Sequence, residues 1–238
     1  MAMRVYYSGP SPDNLRRARE HAPSHSHGAC WTPAKTTVSG LASEVPYFVD
    51  NGAFSGTFEG EVWVNTLDTV LTELPRDPDF VVLPDVPGDA QATIDLHREW
   101  LYDKPLPLRS GELMRYWVIQ PGLPITDQMD QIEGCQGVFV GGSKRWLRAH
   151  GDEIVREARK RDLLTHVGNP SGAEGLAWAY RTGFDSADTT TIFQNGYWHY
   201  LDRLEAATQE TGTGNPTDQT QLELGDATLA ADGGERDV

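Results

Sequence analysis

The sequence predicts one compact α/β domain folded as a (β/α)8 barrel of the TIM type. Short runs of apolar β-branched and aromatic residues recur along the chain, and each run ends in polar residues or glycine. Helical patterns lie between several of the runs, and strands that alternate with helices form parallel sheets with right-handed crossovers. The runs are almost entirely apolar, as strands are when both faces of a sheet are covered. Seven runs and an unplaced eighth favour a closed barrel over an open sheet.

The elements follow from local patterns along the chain. Three segments have helical patterning: residues 90–101, which Asp89 is placed to cap, the charged stretch 144–161 and the alanine-rich stretch 172–181. Residues 1–207 are predicted to form the barrel, and residues 208–238 an acidic, disordered tail, because they lack an apolar period. The seven predicted strands are residues 4–8, 47–50, 80–84, 116–120, 137–140, 163–167 and 184–188.

Composition excludes several classes of protein. No run of about 18 apolar residues occurs, so we expect no membrane span, and the first residues lack the pattern of a signal peptide. With only Cys30 and Cys135, the chain has no disulfide framework and no four-thiolate zinc site, which favours a reducing cytoplasm. His21, His25 and His27 lie near Cys30, but their spacing matches no standard zinc pattern. We interpret that segment as a solvated loop and expect no metal.

The charge balance is strongly acidic. The chain has 35 acidic and 20 basic residues and a formal net charge of −15. Nucleic-acid binders usually carry a basic footprint, so this balance taken alone argues against one. Adaptation to high salt is another interpretation, because charges are screened within about 3 Å at molar ionic strength. It would place the protein in a haloarchaeon or a halophilic virus, and thus in the host cytoplasm if the source is viral.

Polar residues collect where the predicted strands end. Asp50, Asp85, Gln120 and Asp188 all lie at or just beyond the carboxyl end of a run, which is where a barrel places its active site. Two carboxylates on either side of a glycosidic carbon suit displacement chemistry there, because one attacks or stabilises the sugar and the other moves the proton. The pattern therefore predicts an enzyme acting on a glycosidic bond.

Five segments resemble motifs of the guanine transglycosylases, which insert 7-deazaguanine bases into nucleic acid. FVDNGAFSG looks like the family's Asp-Ser-Gly-Gly-Phe strand end, and VVLPDVPGD like its base-recognising Asp segment. WVIQPG resembles its Val-Gln-Gly-Gly, and VFVGG its Gly-Gly-Leu loop. HVGNPSGAEGLAWAYRTGFDSAD resembles its Gly-x-Gly-x-Pro, helix, Gly-hydrophobic-Asp-x-x-Asp run. The matches occur in family order over roughly residues 45–190, and together they are fairly specific.

The resemblance implies a role for each matching residue. Asp188 would be the nucleophile that attacks C1′ and carries a covalent intermediate, and Asp50 the general acid and base. Purine-binding residues would set the choice of base through their hydrogen bonds. They are Asn51, Asp85, Gln120, Gly141 and Gly142.

Departures from the family pattern bear on the substrate. The tRNA enzymes carry a cysteine-rich zinc subdomain after the nucleophile, and no cysteine follows Cys135 here. The chain therefore looks more like the divergent DNA-modifying members of viruses and genome-defence clusters. We expect a pentosyltransferase that exchanges guanine in DNA for a 7-deazaguanine base without a cofactor, on a guanine flipped out of the helix, with or without a partner protein that opens the strands. The alternatives are the same chemistry on tRNA, a base-releasing hydrolase and a non-catalytic nucleic-acid-binding barrel.

Each of these residues also has a plainer interpretation. Asp50 and Asp188, taken singly, are ordinary turn or capping residues after strands, and only together in family order do they favour catalysis. Asp185 is expected to brace the loop that carries Asp188, and His166 to be a satisfied polar residue or a phosphate contact. The basic residues that open the 144–161 helix are either part of a solvated helix face or a phosphate-binding patch. They are Lys144, Arg145 and Arg148.

Overall fold

Eight parallel strands close into a barrel in chain order, so the predicted (β/α)8 fold is confirmed. The structure is a computed structural model, and it describes residues 2–34, 45–56, 59–104, 106, 113–170 and 172–212. The strands are β1 (Arg4–Ser8), β2 (Ser26–Trp31), β3 (Tyr47–Val49), β4 (Phe80–Val82), β5 (Arg115–Ile119), β6 (Gly137–Val140), β7 (Leu164–Val167) and β8 (Ser186–Thr189). Seven of them overlap the predicted runs, and β2 is the strand that the sequence left unplaced.

Strand β2 corrects the interpretation of the histidine-rich segment, which is not a solvated loop. His25 and His27 are buried, as is Cys30. His27 lies between the Tyr7 hydroxyl, 2.8 Å from its Nδ1, and the Ala22 carbonyl, 2.9 Å from its Nε2. Sequence patterning missed this strand because its polar residues are satisfied by hydrogen bonds rather than by water. Over the described ranges, no three His, Cys, Asp or Glu side chains are grouped to hold a metal ion.

The helices surround the barrel and agree with most of the predicted segments. The predicted cap is confirmed, because the Asp89 side chain accepts a 3.0 Å hydrogen bond from the Ala92 N–H. The helices are α1 (Pro12–His21), α2 (Gly60–Glu73), α3 (Ala90–Tyr102), α4 (Ile125–Met129), α5 (Lys144–Arg159), α6 (Gly175–Thr182), α7 (Thr191–Asn195) and α8 (His199–Gly212). The expected start of the tail at residue 208 falls inside α8, and residues 213–238 lie outside the described residues. Within the described ranges, every helix is too short or too polar to span a bilayer.

Aromatic side chains fill the lumen of the barrel. They come from alternate positions of successive strands and form a buried cluster separate from the core between strands and helices. The rings of Phe80 and Tyr116 stack with centroids 3.8 Å apart, and Phe48 stacks on Phe80 at 4.7 Å. Because this packing closes the lumen, the barrel is a solid core rather than a pore. The polar groups described next therefore gather at one end of it.

Pairing of β8 with β1 completes the ring. Tyr6 and Asp188 are partners in this register, so the last strand returns to the first. Alternation along β8 turns Ser186 and Asp188 to the same face, which is the face that His166 on β7 contacts. Closure of the barrel thus brings Asp188, in the last strand, close to the polar residues that follow β3, β4 and β5.

Candidate active site

Residues that follow β3, β4, β5 and β6 converge with Asp188 of β8 at the carboxyl ends of the strands. Asn51, Asp85, Gln120 and Asp188 are all buried, with at most 9% of each residue exposed. Asp50 is partly buried and directly follows β3. Buried polar groups need hydrogen-bond partners, and the hydrogen bonds of these residues form two separate networks. One is centred on Asp188 and the other on Asp85.

Within the described part of the chain, hydrogen bonds hold one oxygen of the Asp188 carboxylate. Oδ1 accepts a hydrogen bond from the backbone N–H of Asn169 at 3.0 Å and lies 3.1 Å from Nε2 of His166. Asn169 can present its N–H there because it adopts a left-handed conformation, with φ of 41°, that asparagine tolerates better than most residues. Among the described residues, none donates a hydrogen bond to Oδ2. The carboxylate is thus oriented through one oxygen while the other is left for a ligand.

His166 is a satisfied polar residue, which was one of the two interpretations of its sequence position. The ring is completely buried, and burial lowers its pKa, although contact with Asp188 opposes this shift. Nδ1 lies 2.9 Å from the Ser186 hydroxyl, and Nε2 faces Asp188. A neutral ring can satisfy both contacts only as the tautomer whose Nε2–H donates to the carboxylate and whose Nδ1 accepts from the hydroxyl. The pair is therefore a hydrogen bond and not an ion pair.

Asp50 is a carboxyl group whose pKa is strongly raised by its surroundings. Burial is the main cause that raises its pKa, to about 7, and the negative charges of Asp188 and Asp85 add to the rise. Hydrogen bonds from the backbone N–H groups of Asn51 and Gly52 oppose it. A carboxyl group with such a pKa is protonated in a large fraction of molecules at neutral pH and can both give and take a proton. The structure thus brings Asp50 and Asp188 within electrostatic reach of one another.

Asp85 accepts a hydrogen bond on each of its oxygens. Asn51 Nδ2 donates to Oδ1 at 2.7 Å, and Gln120 Nε2 donates to Oδ2 at 2.6 Å. Burial raises the pKa of Asp85, and these two bonds oppose the rise. Both N–H donors of Asn51 are used, because Nδ2 also donates to the Leu83 carbonyl, and its Oδ1 accepts from the Ala53 N–H. Asp85, Asn51 and Gln120 therefore form one rigid unit.

Gln120 retains one free donor within this unit. Its Oε1 accepts from the Gly88 N–H at 3.1 Å, while Nε2 makes one of the two bonds that an amide nitrogen can donate. Gly141 lies directly beside this nitrogen, and a Cβ at that position would be 2.6 Å from Nε2. Gly142 has φ of 128° and lies against Trp146 and Pro121. Glycine at 141 thus leaves room for the amide.

The predicted basic patch is only partly available for binding. Lys144 and Arg145 are exposed at the start of α5, directly after Gly142 and Ser143, and neither has a hydrogen bond or ion pair with any described residue. Arg148 instead packs over the Trp178 ring at 4.3 Å and donates to the Glu174 carbonyl at 3.4 Å. Lys144 and Arg145 are thus available to bind a phosphate near the carboxyl ends of the strands, whereas Arg148 is held by contacts with α6.

The opposite end of the barrel has a different character. A cavity of about 960 Å³ opens there, lined by Tyr6, Asp79, Tyr116 and Asp185 among others. Asp185 accepts from both the N–H and the hydroxyl of Thr165, each at 2.8 Å, so it joins the starts of β7 and β8. The expectation that it braces a loop carrying Asp188 is wrong, because Asp188 lies within β8 itself. The carboxylates of the candidate site do not line this cavity. Barrel enzymes place their chemistry at the carboxyl ends of the strands, so we take this end as structural.

Three contributions were missed by sequence reasoning. The Asn169 N–H and the Ser186 hydroxyl orient groups of the site, but a backbone donor and a serine leave no distinctive pattern. Phe54 lies in the short 3-10 helix Ala53–Ser55, just after Asp50, and is 86% exposed. A large exposed aromatic beside buried acids is unusual on a surface and can stack on a planar ligand. The run FVDNGAF contained that signal, because its second phenylalanine comes after the polar and glycine residues at which the predicted strand ends.

Comparison with known proteins adds no relative. No family model matches the chain, and no curated protein matches it. The resemblance to the guanine transglycosylases therefore rests on the five sequence segments.

The shared electrostatics of the two acids can be measured directly. In Asp188→Asn we expect the pKa of Asp50 to fall below about 7, because one of the charges that raise it is removed, although burial still holds it above its ordinary value of 3.8. Carboxyl ¹³C NMR titration measures it, with Asp50→Asn for assignment. Asp152→Asn, which removes an exposed charge on α5, should leave the pKa unchanged. An unaltered value in Asp188→Asn would show that the two acids do not interact.

The same shift has a consequence for stability. The pKa of Asp50 is about 7 in the folded state and has its ordinary value of 3.8 in the unfolded chain. The folded state therefore binds the proton more tightly, and this contribution to the free energy of unfolding is complete below about pH 4. The contribution is lost as pH rises from about 4 to about 7. Urea unfolding across this range should therefore show Asp50→Asn gaining stability relative to the wild type as pH increases.

Proposed function

We propose that the protein is a DNA-guanine transglycosylase, which exchanges guanine in DNA for a 7-deazaguanine base through a covalent aspartyl-glycosyl intermediate. The observation that carries the proposal is the pair of acids at the mouth of the barrel. Asp188 has one oxygen held by two donors and the other without a donor among the described residues, and its charge helps to raise the pKa of the neighbouring Asp50 to about 7. An available nucleophile beside a protonated acid is the combination that displacement at a glycosidic carbon requires.

The first half of the reaction cleaves the glycosidic bond. Oδ2 of Asp188 attacks C1′, the new O–C1′ bond forms, and the C1′–N9 bond breaks with its electron pair going to the purine. Asp50 gives its proton to the purine, which leaves as neutral guanine. Protonation matters because an anionic purine is a poor leaving group.

The second half restores the enzyme. The incoming 7-deazapurine gives its N9 proton to the Asp50 carboxylate, and its nitrogen attacks C1′. The O–C1′ bond breaks and its electron pair returns to Asp188, so proton and nucleophile are both regenerated. Water attacking in place of the base would make the enzyme a hydrolase, so the identity of the second nucleophile must be tested.

The hydrogen-bonding capacity of the Asp85 unit supports a guanine-like base. Asp85 contributes acceptors, since each of its oxygens keeps lone pairs beyond the one bond it accepts, and Gln120 contributes one N–H. The Watson–Crick edge of guanine and of 7-deazaguanine presents two donors beside a carbonyl, which is the complementary order. Adenine reverses this order and would leave the buried groups unpaired, which a polar pocket rejects strongly.

The sequence is the reason for proposing DNA, and not tRNA, as the substrate. The tRNA enzymes of the family carry a cysteine-rich zinc subdomain after the nucleophile, and residues 189–238 of this sequence contain no cysteine. Asp188 is buried, so a guanine in duplex DNA would have to leave the base stack to reach it. The unpaired cations Lys144 and Arg145 would hold the backbone on an otherwise acidic protein.

Covalent trapping tests the proposed function. We expect wild-type protein to form a denaturation-resistant adduct with guanine-labelled duplex DNA, Asp188→Asn to form none, and Asp50→Asn to form it slowly. Adduct formation should release at most one labelled guanine per enzyme, and continued release should require an added 7-deazaguanine base. The rate of adduct formation should fall as pH rises above about 7, because Asp50 loses the proton that it donates. Asp152→Asn serves as the matched control and should behave as wild type.

Each alternative gives a different result in the same assay. If label is released only from tRNA, then tRNA is the substrate and DNA is not. Continued release from DNA without added base, beyond one guanine per enzyme, would indicate a hydrolase. DNA binding by Asp50→Asn and Asp188→Asn equal to that of the wild type, with no adduct from any of the three, would favour a non-catalytic binder.

Gly141 offers a test of base recognition. In Gly141→Ala the new Cβ would stand 2.6 Å from Gln120 Nε2, so we expect the amide to move away from Asp85 and the affinity for a free 7-deazaguanine base to fall about 10-fold or more. Calorimetric titration measures the affinity. If the effect passes through Gln120, adding Gly141→Ala to Gln120→Ala should cost nothing further. Full additivity would show that Gly141 acts separately.

The salt dependence of DNA binding tests the cations. Replacing both Lys144 and Arg145 by Gln should lower the slope of log affinity against log salt by about 2, since each phosphate contact contributes about 0.9 in duplex DNA. Arg156→Gln is the matched control, because Arg156 is exposed on the same helix, at its far end, and pairs with Glu157. An unchanged slope in the double variant would exclude this patch from the interface.

A further inference from the structure

His166 is a buried side chain that connects the nucleophile to the interior of the barrel. Its ring lies among Tyr6, Phe48, Phe80 and Phe139, with centroids 4.8 to 5.8 Å away, and it stacks nearly parallel on Phe139. These rings restrict its rotation because a packed aromatic environment leaves no room for another rotamer. Two hydrogen bonds fix the remaining freedom, one to Ser186 and one to Asp188.

The charge state of the ring follows from what surrounds it. Among the described side chains in contact with it, Asp188 and Tyr6 are the titratable ones, and burial raises the pKa of Tyr6 well above its ordinary value. Asp188 is therefore the only charged contact. Protonating the imidazole would turn the hydrogen bond into an ion pair and neutralise the charge that helps to keep Asp50 protonated. A neutral donor orients Asp188 and leaves its charge in place.

We infer that His166, held by Ser186, is a positioning residue that fixes Oδ1 of Asp188 and thereby presents Oδ2 to the sugar carbon. The role rests on the proposed function, because it concerns the nucleophile of that reaction. His166 touches neither substrate nor reacting atoms. It acts by restricting one carboxylate to one orientation, and a displacement of about 1 Å at a reacting group can cost about 100-fold in rate.

Two substitutions of His166 with amide side chains distinguish a role in positioning Asp188 from a role in filling space. Glutamine places its amide nitrogen near the position of the histidine Nε2, and asparagine near that of Nδ1. His166→Gln can therefore restore the bond to Asp188, whereas His166→Asn can restore only the contact with Ser186. We expect the single-turnover rate of adduct formation to fall about 10- to 100-fold in His166→Asn and less than about 5-fold in His166→Gln, with the half-saturating DNA concentration unchanged in both.

The results separate this role from the proposed function itself. Adduct formation by the wild type tests the function, and the ratio of the two variants tests the positioning role. Equal rates in His166→Asn and His166→Gln, or a loss that appears only in DNA affinity, would overturn it. If His166→Asn does not fold, as judged by circular dichroism, Ser186→Ala takes its place, and an adduct rate equal to that of the wild type would then count against the proposal.

Imidazole ¹⁵N NMR provides a measurement that needs no turnover. We expect His166 of the wild type to give the spectrum of the neutral Nε2–H tautomer from pH 8 down to pH 6. In Ser186→Ala we expect the same tautomer to predominate, with more exchange between the two neutral tautomers. A ring that is protonated at neutral pH, or that carries its proton on Nδ1, would overturn the proposed arrangement.

Discussion

Closure of the barrel between β8 and β1 is the constraint on which the site depends. The register that pairs Asp188 with Tyr6 places a residue from near the end of the chain beside groups that follow β3, β4 and β5. Each strand pair is short, and several contribute only two or three paired residues, so the ring holds its geometry through all eight contacts together. An error in one register would turn Asp188 to the outer face, because side chains alternate along a strand.

The aromatic lumen gives the site its electrostatic character. A floor of stacked rings excludes water below the carboxylates, and without water each charge acts on its neighbours over a longer range. Burial therefore raises the pKa of Asp50 and Asp85, and the negative charges of the site reinforce the effect on Asp50. The cost of burying these groups is offset by donors that belong to the fold, such as the Asn169 N–H and the amide of Asn51.

The distribution of charge resolves an apparent conflict between an acidic protein and a nucleic-acid substrate. About half of the arginines and lysines in the described ranges pair with carboxylates, as Arg161 does with Asp130 and Glu157. Lys144 and Arg145 lack such partners and lie at the start of a helix that begins beside the mouth. Net charge describes the whole surface, whereas binding depends on the potential at one place on it.

What the sequence by itself determined was the alternation of strands and helices, and with it the barrel. It also indicated the residues at the strand ends, because apolar runs and the polar positions after them are local patterns that survive without tertiary context. It failed at β2, where a polar sequence imitates a solvated loop although His27, for example, is buried and satisfied by Tyr7 and Ala22. Only the tertiary structure decided that His166 forms a hydrogen bond with Asp188 and that, among the described residues, donors reach one oxygen of this carboxylate and not the other. It also decided that the charge of Asp188 raises the pKa of Asp50. These properties arise between residues far apart in the chain, and distance, burial and tautomer are set by packing rather than by the order of amino acids.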